Sequence, residues 1–239
     1  MGFAFQLLEA YNKEGSDMST TMLGERFRAL WTSCLPTAAA RTGRPVEPIF
    51  EYLFSRYTAA GSCHRNWANL VHCLAEFDRT ANQMDYPEAV ELALWFHDAV
   101  YMPGARDNEK RSADLFGQWG ADCFSTAFVK KVRALILITR HTQPPREGDE
   151  SYIVDIDLSS LALNQDDCLL DELYIRKELP HILDAVYYRA QAQFLSELLA
   201  RPHIYYTYFF HQRYEEAARR NIERLLATEN YSQMLYEYP

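Results

Sequence analysis

Residues 87–101 read PEAVELALWFHDAVY. Pro87 suits the first position of a helix, where its missing N–H would go unused in any case, and Asp85 and Tyr86 stand just before it. From there to Tyr101 the spacing predicts a helix that is apolar on nearly all sides, through Val90, Leu92, Leu94, Trp95, Phe96 and Val100. Such a helix belongs in the middle of a protein, and Met102-Pro103-Gly104 stops it. His97 and Asp98 sit inside this apolar run. Adjacent positions on a helix lie about 100° apart, so both side chains can reach one ion. A carboxylate in such surroundings is costly unless a cation or several donors meet it.

Outward from this helix the pattern stays helical. Leu23, Phe27, Leu30 and Trp31 line one face of a helix from about Met22 to Cys34. A second helix follows the 42–48 loop and runs to about Tyr57, and Ala59-Ala60-Gly61-Ser62 breaks it. A third spans about Asn66 to Met84. Asp107 is a plausible N-cap for a helix over 108–119. Another covers about Ser125 to Arg140, and residues 151–163 carry a further apolar run. Two long amphipathic helices, about 166–200 and 206–228, close the chain. Pro180 kinks or splits the first, and Pro202 separates the two. No strand pattern and no repeat is found. The expected fold class is all-α, with an arm at 1–20, a single helical domain over 21–230 and a tail at 231–239.

The chain has 239 residues with 24 Lys+Arg and 33 Asp+Glu, a net charge of −9. That balance argues against general nucleic-acid binding, which needs a basic face. It leaves room for a small anionic ligand met by one Arg or a metal. Five cysteines at 34, 63, 73, 123 and 168, with no C-x-x-C pair, fit free thiols in a reducing compartment. No apolar run approaches the roughly 18 residues of a membrane span, and the N-terminal residues lack the basic start of a signal peptide. The expectation is a cytoplasmic protein.

Asp157, in the apolar run 151–163, poses the same burial problem as Asp98. Two such acids and a His point to a hard-metal site with imidazole and carboxylate ligands. The alternative is a buried Asp held by an Arg beside a satisfied core histidine, and spacing alone leaves both open.

The order of motifs adds to this. FHDAVY at 96–101, DNEKRSA at 107–113, ILITRHT at 136–142 and DIDLSSLAL at 155–163, followed by YIRKELPHI and RPHIYYT, resemble the HD-domain superfamily of metal-dependent phosphohydrolases. The resemblance runs from about Leu23 to Leu226. It implies an all-helical bundle with its site between the central helices, a divalent metal (Mg, Mn, Fe or Zn), and a nucleotide or other small phosphate ester as substrate. Its ligand pattern maps onto His97, Asp98 and Asp157. The first His is where this chain departs. The related branch reads Tyr-His-Asn-x-x-His, and here the matching stretch is His64-Arg65-Asn66-Trp67-Ala68-Asn69. Arg65 stands at the first His and Asn69 at the second; His64 and His72 are close in sequence but aimed differently. An Arg does not ligate a metal, although its guanidinium can neutralise Asp98 or Asp157 instead.

The resemblance makes Glu109 the expected general acid or base and Asn108 an orienting group for water or a phosphate oxygen. Each also has a plain reading, Glu109 as a first-turn acid favoured by the helix dipole. Arg65, Asn69, His141 and Arg176 are the expected contacts to an anionic substrate. His141 also reads as a cation at a helix C-terminus, and Arg176 and Arg189 as solvated arginines. The aromatic run at Tyr205, Tyr206, Tyr208, Phe209 and Phe210, beside Tyr187 and Tyr188, reads as core or as a homodimer surface more readily than as a base-stacking platform. Two functions therefore stand: a metal-dependent phosphohydrolase, and a catalytically silent relative in which Arg65 replaces the metal and the protein binds a ligand or partner. An oxygenase would need two iron sites, and the missing histidines argue against it.

Overall fold

The computed structural model describes residues 16–36, 45–58, 67–102 and 104–228. The readings that fall on the outer part of the N-terminal arm, the tail at 231–239, Cys63, His64 and Arg65 lie outside the described residues. Among the described residues there are ten α-helices and no strand, so the chain is all-α. The helices are α1 (Ser16–Ser33), α2 (Val46–Tyr57), α3 (Trp67–Thr80), α4 (Pro87–Phe96), α5 (Asn108–Gly120), α6 (Thr126–Ile138), α7 (Asp149–Asp157), α8 (Gln165–Lys177), α9 (Asp184–Ala200) and α10 (Tyr208–Ala227). Short 3₁₀ turns follow α3 and α7, at Ala81–Gln83 and Leu158–Ala162. No described helix is long and apolar enough to cross a membrane.

α4 is the axis. Pro87 stands at its start. Ala89, Val90, Leu92, Ala93, Leu94, Trp95 and Phe96 have no exposed surface, and α1, α3, α5, α6 and α7 all pack around them. A helix with no polar face is stable only with neighbours on every side. The packing is dense in aromatic rings. Phe27 of α1 meets Trp95 edge-on at 5.0 Å, Phe96 meets Phe116 of α5 at 5.1 Å, and Trp31 meets Phe124 at 4.6 Å. These geometries suit the ring quadrupoles.

α4 ends at Phe96, not at Tyr101 as the apolar spacing predicts. Beyond His97 the chain turns so that α5 side chains take its backbone groups. Val100 N donates to Ser112 Oγ at 3.0 Å and Met102 N to Asn108 Oδ1 at 2.9 Å, while Asn108 Nδ2 donates to the Met102 carbonyl at 3.1 Å. Asp107 precedes α5 but makes no side-chain cap. Its carboxylate instead accepts from Arg111 Nε at 2.9 Å. α1 begins at Ser16, inside the stretch read as an arm. The run 151–163 divides into α7 and a 3₁₀ turn, and the run 166–200 divides into α8 and α9 around Pro180. Cys34, Cys73, Cys123 and Cys168 are free thiols.

α4 and α7 run side by side in the same direction, tied at both ends. At the start, Asp149 Oδ1 accepts from Asp85 N at 2.9 Å and Tyr86 N at 3.3 Å, with Lys131 Nζ 3.4 Å from Oδ2. A carboxylate so placed satisfies N–H groups that the start of α4 leaves without helical partners. At the far end, this pairing brings His97 and Asp98 beside Asp157.

Candidate metal centre

His97, the first residue past α4, is buried. Its Nδ1 lies 2.8 Å from the Leu94 carbonyl. A carbonyl only accepts, so Nδ1 carries the proton and Nε2 of the neutral ring carries the lone pair. That Nε2 is buried and has no hydrogen-bond partner. Asp98 Oδ2 is 3.3 Å away and Asp157 Oδ1 3.5 Å. Burial opposes a charge on the ring, but the two carboxylates outweigh it and push the imidazole up to about 9. The Asp157 carboxyl is also buried, which alone would raise it. His141 and His97 together hold it well below the usual carboxylate range. An imidazole nitrogen facing two carboxylates calls for a cation, either a proton or a metal.

Asp157 has a second histidine. His141 Nε2 lies 2.8 Å from Asp157 Oδ2. His141 follows α6 in the left-handed region, with φ 54°. That conformation is uncommon for a side-chain-bearing residue and marks a position held by its surroundings. Here it turns the imidazole off the end of α6 and onto Asp157. The side chains of His97, Asp98, His141 and Asp157 are 3%, 8%, 11% and 19% exposed, so the group opens to solvent on the Asp157 side.

α3 covers the same carboxylates. The Cys73 thiol is raised well above its ordinary value by burial and by Asp157 and Asp98. Asn69 is half-buried one turn earlier on that face of α3. His72 is engaged elsewhere: its Nε2 is 2.8 Å from Ser159 Oγ, whose hydroxyl donates to the Ile156 carbonyl at 2.6 Å. With the serine proton spent, His72 Nε2 must be the donor, so that atom has no lone pair for a metal.

The structure brings together His97, Asp98, Asp157 and His141. The other expected residues among those described have these partners. Both groups of the Asn108 amide bind Met102, as described above. Glu109 faces Arg140 Nε at 3.9 Å. Arg176 is buried and turned inward. Its Nε donates to Asp184 Oδ1 at 2.9 Å, Nη1 to the Leu179 carbonyl at 2.6 Å and Nη2 to the Ile182 carbonyl at 3.0 Å. It closes the turn between α8 and α9, and the anion it meets is the Asp184 carboxylate of the chain itself. Arg189 is exposed. In the aromatic run, Tyr205 and Phe210 are core, while Tyr208 is 81% exposed.

Asp155 is a further buried acid, not among the residues expected from the sequence. It is fully buried and accepts from Tyr206 N at 2.9 Å and Thr207 N at 2.7 Å. Burial still pushes it up to about 7 against these bonds. Its one sequence signal is the same as that of Asp157, an acid in an apolar helix.

Compared with known protein families, curated proteins and solved structures, the chain matches none of them.

Proposed function

We propose that the chain is an HD-type, metal-dependent phosphohydrolase acting on a nucleotide or another small phosphate ester, with His97, Asp98 and Asp157 as metal ligands. The observation that carries this reading is the buried, unpartnered Nε2 of His97 between two carboxylates. A buried imidazole nitrogen flanked by two carboxylates is a donor set that suits Mg²⁺, Mn²⁺, Fe²⁺ or Zn²⁺. Such an ion supplies Lewis acidity toward a phosphoryl oxygen and an activated water. The residues do the rest. Leu94 fixes the His97 tautomer through Nδ1. His141 orients Asp157 from the far side, the role that outer partners take around metal ligands. Asp157, the most exposed of the four, lies where a small ligand reaches the group. The phosphate class of the substrate rests on the order of the motifs.

The test is turnover. Wild-type protein with Mn²⁺ is run against a panel of nucleotides and simple phosphate esters beside Asp157→Asn and His97→Gln. Hydrolysis of one panel member that both substitutions abolish supports the reading. Equal release of phosphate by all three proteins, or none with any member, contradicts it and favours a ligand-binding or interaction module.

A further inference from the structure

A second group of metal-ligating side chains lies away from this centre, and its case is independent of the phosphohydrolase reading. His211 and Glu215 sit one turn apart on the same face of α10, and His203 reaches them from the segment that joins α9 to α10. One ligand atom from each of the three lies within 4.8 Å of the others. The two imidazole rings meet edge-on with centroids 4.3 Å apart.

We infer that His203, His211 and Glu215 bind a divalent transition-metal ion of the zinc class. His211 Nδ1 is buried, has no hydrogen-bond partner and lies 3.4 Å from Glu215 Oε2. With Zn–N near 2.0–2.1 Å, neighbouring ligand atoms of a tetrahedral zinc site stand about 3.3 Å apart. The His211–Glu215 pair already has that separation. His203 is exposed and free to close the remaining gap.

Glu215 is held in place for the task. Its carboxylate accepts from Ile204 N at 3.0 Å, Tyr205 N at 3.2 Å and Arg219 Nε at 2.7 Å. Ile204 N also reaches Oε2 at 3.0 Å, so both oxygens are held and Oε2 is fixed 3.4 Å from His211 Nδ1. Arg219 pairs with Oε1 and is itself anchored by the Leu199, Arg201 and Pro202 carbonyls. Two imidazoles and a carboxylate, with an open side toward solvent, form a zinc-type set whose fourth position is left for water.

The consequence reaches further along the chain. Ile204 N and Tyr205 N are held by Glu215, and Tyr206 N and Thr207 N by Asp155 of α7. Four consecutive N–H groups are thus gripped by two carboxylates. An ion on Glu215 and His203 therefore staples this segment to α10 at one end while Asp155 holds it to α7 at the other.

The experiment is a zinc titration of the untagged full chain against a chromogenic chelator, followed by elemental analysis after dialysis. Three variants run beside it: His211→Ala, the double variant His203→Ala/His211→Ala, and Asp98→Ala. We expect the double variant to hold one zinc equivalent fewer than wild type and His211→Ala to weaken that equivalent at least about tenfold. Asp98→Ala should keep it. Zinc should raise the melting temperature of Asp98→Ala, since a ligand that binds only the folded state stabilises it. The inference is overturned if wild type and the double variant hold the same zinc, or if the chelator strips all zinc from both with equal ease. His203 is exposed, so His203→Ala tests the claim alone without disturbing the core.

Discussion

His141 Nε2 stands 2.8 Å from one oxygen of Asp157, and the other oxygen of that carboxylate faces the unpartnered Nε2 of His97 at 3.5 Å. One carboxylate thus lies between two histidines with different tasks. His97 comes off a rigid buried helix. His141 comes off a helix end, with a backbone conformation that serves to aim it.

His141→Asn separates aim from fold. Asn tolerates the left-handed conformation, so the melting temperature should change little. The imidazole hydrogen bond to Asp157 is lost, and Mn²⁺ affinity should fall by about 10- to 100-fold, as when an outer partner of a metal ligand is removed. Affinity equal to wild type in a calorimetric titration would show that His141 has no part in the centre.

Leu94→Ala tests the central place of α4. Leu94 has no exposed surface, and truncating a core leucine costs about 2–5 kcal/mol. Denaturant unfolding should give a loss in that range, while Mn²⁺ bound per folded molecule stays the same. A loss below about 1 kcal/mol, the level of an ordinary point mutation, would mean that α4 is not the axis of the core.

Arg176→Ala addresses a residue whose place differs from its expected one. Its removal leaves the Leu179 and Ile182 carbonyls and Asp184 without their donor, a cost of about 1–3 kcal/mol. Stability should fall by that order, and KM for any phosphate ester that proves to be hydrolysed should stay at the wild-type value. A rise in KM with unchanged stability would return Arg176 to the substrate.

Asp155→Asn tests the grip on the 204–207 segment. The amide keeps an acceptor oxygen but brings two N–H groups toward Tyr206 N and Thr207 N, which are themselves donors. The clash should cost about 1–3 kcal/mol and release those two amides to hydrogen exchange before the rest of α10. Unchanged protection at residues 206 and 207 would contradict it.

The central helix was legible because two signals agree there, Pro87 at a helix start and a largely apolar run after it, from Leu92 to Phe96 without a polar residue. The acids at 98 and 157 stood out because they interrupt apolar runs, and a buried charge needs a partner wherever it falls. Asp155 carries the same signal and Asp149 none, and the partners of both are backbone N–H groups, 51 and 64 positions away. No periodicity shows such partners. Asn108 and Arg176 were misplaced for a related reason. Each is polar and stands beside a chain turn, and each spends its donors on that turn's carbonyls. His141 reads in sequence as a residue at a helix end. Only its φ of 54° turns it onto Asp157.

A divalent ion at His97, Asp98 and Asp157 is what the proposed hydrolase needs above all, and metal content is its most direct test. Untagged protein carrying His203→Ala and His211→Ala, so that a single centre is counted, is dialysed with Mn²⁺ and measured by elemental mass spectrometry, with and without Asp98→Ala. The expected content is close to one Mn²⁺ per chain, lost with Asp98→Ala. No metal in either protein, or the same amount in both, would contradict it.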